Sequence, residues 1–195
     1  MKRENLLRLS LSAMFIAVGY VLPFFTGQIP EIGNMLLPMH LPVFLCGLIC
    51  GWKYGLAIGV ILPFLRTFLF GVPPLYPNAI AIAFELATYG LVIGLLYHRR
   101  KNPTTKYLMF CLVVSMIVGR IVWGIAQASL LGFVGKSLAM KTFITVGVLN
   151  ETPGIVIHLI LIPLVIGLLN HAKINRLSHT SDAQSTKDES NTEEL

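Results

Sequence analysis

Residues 78–97 read NAIAIAFELATYGLVIGLLY, an apolar run whose one charged side chain is Glu85. Its length matches the roughly 20 residues that an α-helix needs to cross the hydrocarbon core of a bilayer. A charged residue inside such a helix is costly, so it normally faces protein, water or a bound solute. The run therefore predicts a transmembrane helix with Glu85 turned away from lipid.

Further apolar runs lie on both sides of this one. Six segments qualify, or nearly qualify, as membrane spans, at about residues 6–25, 36–51, 54–71, 78–97, 107–131 and 142–169. Of the 195 residues, 55% are hydrophobic and 12% are charged, about half the charged share of a soluble domain. We predict an all-α integral membrane protein: a six-helix membrane domain over residues 1–170, followed by a disordered polar tail over 171–195.

The basic residues predict the orientation of the chain. One set of predicted helix ends holds most of them: Lys2, Arg3, Arg8, Lys53, Arg99, Arg100, Lys101, Lys106, Lys173 and Arg176. The opposite ends hold Lys136 and Lys141. Because cytoplasmic loops are enriched in lysine and arginine, we predict a multi-pass protein of the cell membrane with both chain ends in the cytoplasm. The position of the basic residues at the ends of apolar runs favours this orienting role, and we predict no nucleic-acid partner.

Four ionisable residues fall within the predicted spans: Arg66, Glu85, Arg120 and Glu151. Each costs about 2.5–3.5 kcal/mol at the centre of a membrane helix on insertion scales. Their formal charges cancel, so two structural ion pairs are one interpretation and solute binding is the other. Depth favours binding, because the predicted topology places these residues in the outer half of the bundle or near its middle.

Other polar and aromatic side chains share that region. With 3.6 residues per turn, positions 120, 123 and 127 lie on one helix face, and positions 78, 85 and 89 lie on another. Pro153 and Gly154 predict a kink or break in the last span. The predicted substrate-binding residues are Arg66, Tyr76, Asn78, Glu85, Tyr89, Arg120, Trp123, Gln127, Asn150 and Glu151. His40 and His158 are interpreted as packing residues.

Several kinds of chemistry have no motif in the sequence. It contains no GxxxxGK[ST] phosphate loop, no HExxH and no GxSxG. The cysteines at 46 and 50 are four residues apart on one helix, but no histidine or acidic residue stands nearby to complete a metal site. We therefore predict a protein that is not an enzyme and that uses neither a metal nor a cofactor. An intramembrane enzyme built on Glu85, Glu151 or His158 would lack a nucleophile–base pair.

Three segments together carry a family resemblance. They are AMFIA at 13–17, LPMHLPVFLCGLICGWKYG at 37–55, and PPLYP at 73–77 leading into AFELATYG at 83–90. In this order and with six spans, residues 6–170 resemble the substrate-binding S components of energy-coupling factor (ECF) vitamin transporters. The resemblance implies a subunit that captures a vitamin outside the cell and docks on a membrane coupling protein with two cytoplasmic ATPases. It also implies that Ala13 and Ala17 contact the coupling protein.

Within that family the chain is most similar to the pantothenate-type members. Pantothenate carries one carboxylate, two hydroxyls and an amide, and Arg66 or Arg120 could hold the carboxylate by a charge-assisted hydrogen bond. Its other groups would be served by Asn78, Gln127 or Asn150. A pyridoxine-like vitamin would instead rely on Glu85 or Glu151. The alternatives outside the family are a self-sufficient small-solute transporter or channel and a packing subunit without a ligand.

Overall fold

The computed structural model describes residues 3–25, 39–100, 103–133 and 152–169. Within these ranges the chain forms helices and turns and no β-strand. The α-helices are α1 (Arg3–Phe25), α2 (His40–Ile49), α3 (Trp52–Phe70), α4 (Ile80–Tyr97), α5 (Thr105–Phe133) and α6 (Thr152–Leu169). The all-α fold class is therefore confirmed for the described part of the chain. The predicted tail, and the site residues Asn150 and Glu151, lie outside the described residues.

Five helical segments in the described ranges are long and apolar enough to cross a membrane. They are Asn5–Pro23, Trp52–Phe70, Leu75–Tyr97, Thr105–Phe133 and Thr152–Leu169. This confirms a multi-pass membrane protein. The remaining helix, α2, has 10 residues, which is too short to span a bilayer by itself. The count of six spans and the orientation of the chain stay predictions.

Two glycines make the turns at the ends of α3. Gly51 has φ +99° and joins α2 to α3, while Gly71 has φ +72° and ends α3. Both values lie where a side chain is strained and glycine is not. At Gly71 the backbone N–H donates to the carbonyl of Thr67 at 2.8 Å. The Thr67 hydroxyl donates to the carbonyl of Pro73 at 2.8 Å, which ties the following loop to α3.

Residues up to Leu159 form one compact unit, and the chain from Ile160 onward forms a second. In the first unit α4 is the central helix, because it packs against α2, α3 and α5. A side chain near the middle of α4 is therefore surrounded by protein on several sides. This arrangement accounts for the complete burial of Glu85.

Glycines set the distance between α3 and α4. A Cβ added to Gly90 would lie 2.3 Å from the backbone of Gly55, and one added to Gly94 would lie 2.5 Å from Cα of Trp52. One added to Gly59 would lie 2.5 Å from the backbone of Leu86. Residues further along α3 thus meet residues earlier in α4, so the two helices are antiparallel. Small residues at such contacts let membrane helices approach closely.

The Gly90→Ala substitution is expected to destabilise the protein, although alanine usually favours a helix. The added methyl group meets backbone atoms that no side-chain rotation can move, so α3 and α4 must separate. Overpacking of this kind typically costs about 1–3 kcal/mol. Thermal unfolding of the purified protein in detergent measures the loss. Gly132→Ala is the matched control, because a Cβ there has no neighbour within 4 Å among the described residues. Equal melting temperatures for the two variants would contradict the prediction.

Candidate functional site

Glu85 is the centre of a cluster contributed by three helices. Its side chain, 2% exposed, lies in the first half of α4. The carboxylate oxygen Oε1 accepts a hydrogen bond from the Tyr89 hydroxyl at 2.7 Å and lies 3.1 Å from Nη2 of Arg120 on α5. Nε2 of His40 on α2 lies 3.9 Å from the same oxygen. The carboxylate therefore joins α4 to α5 through Arg120, and the His40 ring of α2 lies beside it without a hydrogen bond.

Arg120 is buried with Glu85 in this ion pair. Its side chain is 12% exposed, and its guanidinium lies 5.6 Å from the centre of the Trp123 ring, one turn further along α5. The sequence left two interpretations of the intramembrane charges open, ion pairing and solute binding. For Glu85 and Arg120 the geometry shows an ion pair. Removing one partner of a buried ion pair leaves the other charge uncompensated and is strongly destabilising.

A second polar group links α5 to the chain that enters α4. Nε2 of Gln127 donates to Oδ1 of Asn78 at 3.1 Å, and the Tyr76 hydroxyl donates to the backbone carbonyl of Leu130. Gln127 is seven residues beyond Arg120, which corresponds to about 10 Å along a helix axis. We call this end of the helices, next to the proline-rich residues 71–77, the proline end.

Arg66 lies at the proline end and has no anionic partner among the residues that the structure describes. It is half-buried on α3, and within the described part of the chain it forms no ion pair or hydrogen bond. It shares the α4-facing side of α3 with Gly59, because seven residues make almost two whole turns. Continuing the antiparallel register from Gly59 and Leu86 places Arg66 level with Ala79, next to Asn78. An arginine in this position can bind an anionic group of a solute, such as a carboxylate, through charge-assisted hydrogen bonds.

The structure adds two histidines that the sequence did not assign to the site. The His40 ring lies 5.4 Å from the ring of Tyr89 and 6.2 Å from that of His158. Phe44 stacks on Tyr89 at 4.9 Å, and Nδ1 of His158 lies 2.5 Å from the carbonyl of Gly154. Both histidines are buried. A sequence signal existed in Pro38 and Pro42, which flank His40 and predict an irregular helix start sheltered by protein or a cavity.

The sequence-predicted residues thus fall into separate places. Glu85, Tyr89, Arg120 and Trp123 form the inner cluster. Asn78, Gln127, Tyr76 and Arg66 lie at the proline end. Ala13 and Ala17 are exposed on α1, apart from these polar groups. No group of three or more His, Cys, Asp or Glu side chains in the described ranges is arranged to hold a metal ion.

Ionisable residues inside apolar helices are rare and are typical of membrane proteins that bind or move polar solutes. The family model described as "ECF transporter, substrate-specific component" matches residues 7–166 of the chain. This match covers most of the 195 residues, and the chain belongs to that family. The family is one of transporter components and not of enzymes. No curated protein and no solved structure matches the chain.

Proposed function

We propose that this protein is the vitamin-binding S component of an ECF-type importer in the cell membrane, and that its solute is pantothenate. The observation that carries the proposal is Arg66, a half-buried arginine without an anionic partner in the described part of the chain, at the level of the Asn78–Gln127 amides. A solute that combines a carboxylate with neutral hydrogen-bonding groups suits that combination.

The carboxylate is assigned to Arg66 and not to Arg120. Arg120 already holds Glu85 at 3.1 Å, and drawing it away would leave Glu85 buried without its cation. Arg66 can bind a carboxylate without breaking another ion pair, and such charge-assisted hydrogen bonds are short and strong. The Glu85–Arg120 pair then acts as a neutral inner wall of the site.

The neutral groups of the solute are assigned to the amides and to Trp123. Oε1 of Gln127 is buried and has no hydrogen-bond partner among the described residues, so it can accept from a hydroxyl or an amide N–H. Trp123 lies between Gln127 and Arg120 along α5, and its ring is assigned to the apolar part of the solute. Asn150, Glu151, Tyr76 and Tyr89 complete the proposed site.

Transport requires partners in this proposal. With six spans and both ends in the cytoplasm, the proline end faces outward and the solute is captured from outside the cell. Ala13 and Ala17, exposed on α1, contact the membrane coupling protein, which works with two cytoplasmic ATPases. The membrane domain comprises residues 1–170, and the polar tail 171–195 takes no part in binding.

Pantothenate is expected to raise the melting temperature of the purified protein more than any other water-soluble vitamin in a thermal-shift panel. Ligand binding to the folded state stabilises it in proportion to the logarithm of the ratio of ligand concentration to Kd. The protein alone in liposomes is expected to take up no pantothenate.

Two results would contradict the proposal in different ways. If pyridoxine raised the melting temperature and pantothenate did not, the assigned solute would be wrong, but the protein would still be a vitamin-binding S component. Uptake by liposomes that contain this chain alone would identify a self-sufficient transporter.

A further inference from the structure

His40 stands out among the buried polar side chains of the inner cluster. It is 4% exposed, and neither ring nitrogen has a hydrogen-bond partner among the described residues. Oε1 of Glu85 lies 3.9 Å from Nε2 of His40, which is beyond hydrogen-bond range. Buried polar side chains in native proteins are nearly always hydrogen-bonded, so each exception needs an explanation.

The neighbours of His40 hold its ring in place without satisfying it. Tyr89 and His158 flank the ring at 5.4 Å and 6.2 Å. The Tyr89 hydroxyl donates to Glu85. Nδ1 of His158 is positioned to donate to the carbonyl of Gly154 at 2.5 Å. That nitrogen is therefore occupied by a hydrogen bond within α6. An outside group that reached His40 would therefore not have to displace an existing hydrogen bond of this ring.

The charges of Glu85 and Arg120 limit the kind of solute group that could bind at His40. Glu85 disfavours an anion beside His40, and Arg120, which is paired with Glu85 at 3.1 Å, disfavours a cation. A neutral imidazole has one donor and one acceptor nitrogen, and a hydroxyl group also both donates and accepts. A neutral hydroxyl is thus the group whose hydrogen-bonding capacity matches this location.

We propose that His40 is a solute-binding residue that hydrogen-bonds a hydroxyl group of the captured solute. This inference rests on the proposed function and extends it, because it gives the site two ends. Arg66 takes the carboxylate at the proline end, and His40 takes a hydroxyl beside the Glu85–Arg120 pair. Pantothenate carries its carboxylate and its hydroxyls at opposite ends of an extended chain.

The test combines removal of one hydroxyl from the ligand with removal of the imidazole from the protein, and it compares the resulting dissociation constants. Isothermal titration measures Kd for pantothenate and for two analogues, each lacking one hydroxyl, against the wild-type protein and His40→Phe. The wild type is expected to bind one of the two analogues about tenfold more weakly than pantothenate, which is the upper range for one neutral hydrogen bond. His40→Phe is expected to bind pantothenate about tenfold more weakly and to bind that analogue as the wild type does.

Two variants separate binding from structure. His98→Phe is the matched control, since Nδ1 of His98 lies 2.9 Å from the carbonyl of Gly94 at the other end of α4, and its affinities should equal those of the wild type. His40→Gln keeps a donor and an acceptor and should retain most of the affinity. An equal loss for pantothenate and both analogues in His40→Phe, or no loss, would overturn the inference. Unfolding of both His40→Phe and His40→Leu would also overturn it, because the imidazole would then be structural.

Failure of the solute assignment gives a different result. If the wild type does not bind pantothenate, the solute is wrong, and the same cycle is run with pyridoxine and its deoxy analogues. A loss confined to one missing hydroxyl would then support His40 as a binding residue while pantothenate is abandoned. Absence of binding for both vitamins would overturn the two proposals together.

Discussion

Replacing Glu85 by glutamine is expected to lower the free energy of unfolding by about 3–5 kcal/mol, the usual cost of removing one partner of a buried ion pair. The variant would leave the guanidinium of Arg120 buried beside a neutral amide in place of the carboxylate oxygen now 3.1 Å away. It would also weaken the acceptor of the Tyr89 hydroxyl. Chemical unfolding of the purified protein, followed by circular dichroism, measures the loss.

A double substitution is the control for this prediction. Glu85→Gln combined with Arg120→Gln removes both charges, so it should be less destabilising than the sum of the two single changes. Arg99→Gln removes an exposed charge just beyond α4 and should be nearly neutral. If the losses of unfolding free energy in the two single variants simply added up in the double variant, Glu85 and Arg120 would not be coupled. The ion pair described for the inner cluster would then be contradicted.

The Arg66→Gln substitution is expected to weaken pantothenate binding about a hundredfold without changing stability. That factor corresponds to about 3 kcal/mol, the upper range for a hydrogen bond to a charged group. Stability is preserved because Arg66 forms no ion pair or hydrogen bond within the described ranges. Titration of the purified variant with pantothenate measures the affinity, and thermal unfolding without ligand checks the fold.

An uncharged ligand makes this prediction specific. The amide of pantothenate lacks the carboxylate charge, so the wild type and Arg66→Gln should bind it equally. Arg66→Lys keeps a positive charge and should lose less affinity than the glutamine variant. Lys53→Gln removes an exposed cation at the other end of α3 and should bind as the wild type does. If Arg120→Gln abolished binding without loss of stability while Arg66→Gln bound normally, the carboxylate would belong to Arg120.

Apolar runs of sufficient length predicted most of the helices, because a membrane span needs little more than hydrophobicity and about 20 residues. Helix α2 departed from this rule. The apolar run 36–51 predicts a near-span, yet the described helix covers His40–Ile49 and ends at the turn made by Gly51. Residues 36–38 lie outside the described part. Where a glycine adopts a positive φ depends on the turn between the helices, and apolar periodicity does not encode that turn.

The candidate site was predicted less completely than the helices, because the side chains that meet across two helices depend on how those helices pack. The sequence showed that Glu85 and Arg120 could pair, but it could not separate pairing from binding. Their contact follows from the packing of α4 on α5, where the Tyr89 ring lies over Gly119 and a Cβ on that glycine would be 2.2 Å from Cε1 of the ring. His40 joins the cluster through the same tertiary packing. A lone histidine in an apolar run carries no sign of which helix it will face.

A structure of the protein determined with saturating pantothenate would test the central claim most directly. We predict the carboxylate of the vitamin within ion-pair distance of Arg66, its hydroxyl end beside His40, and the Glu85–Arg120 pair unbroken. A vitamin bound elsewhere on the protein, or one that takes Arg120 away from Glu85, would contradict this description of the site.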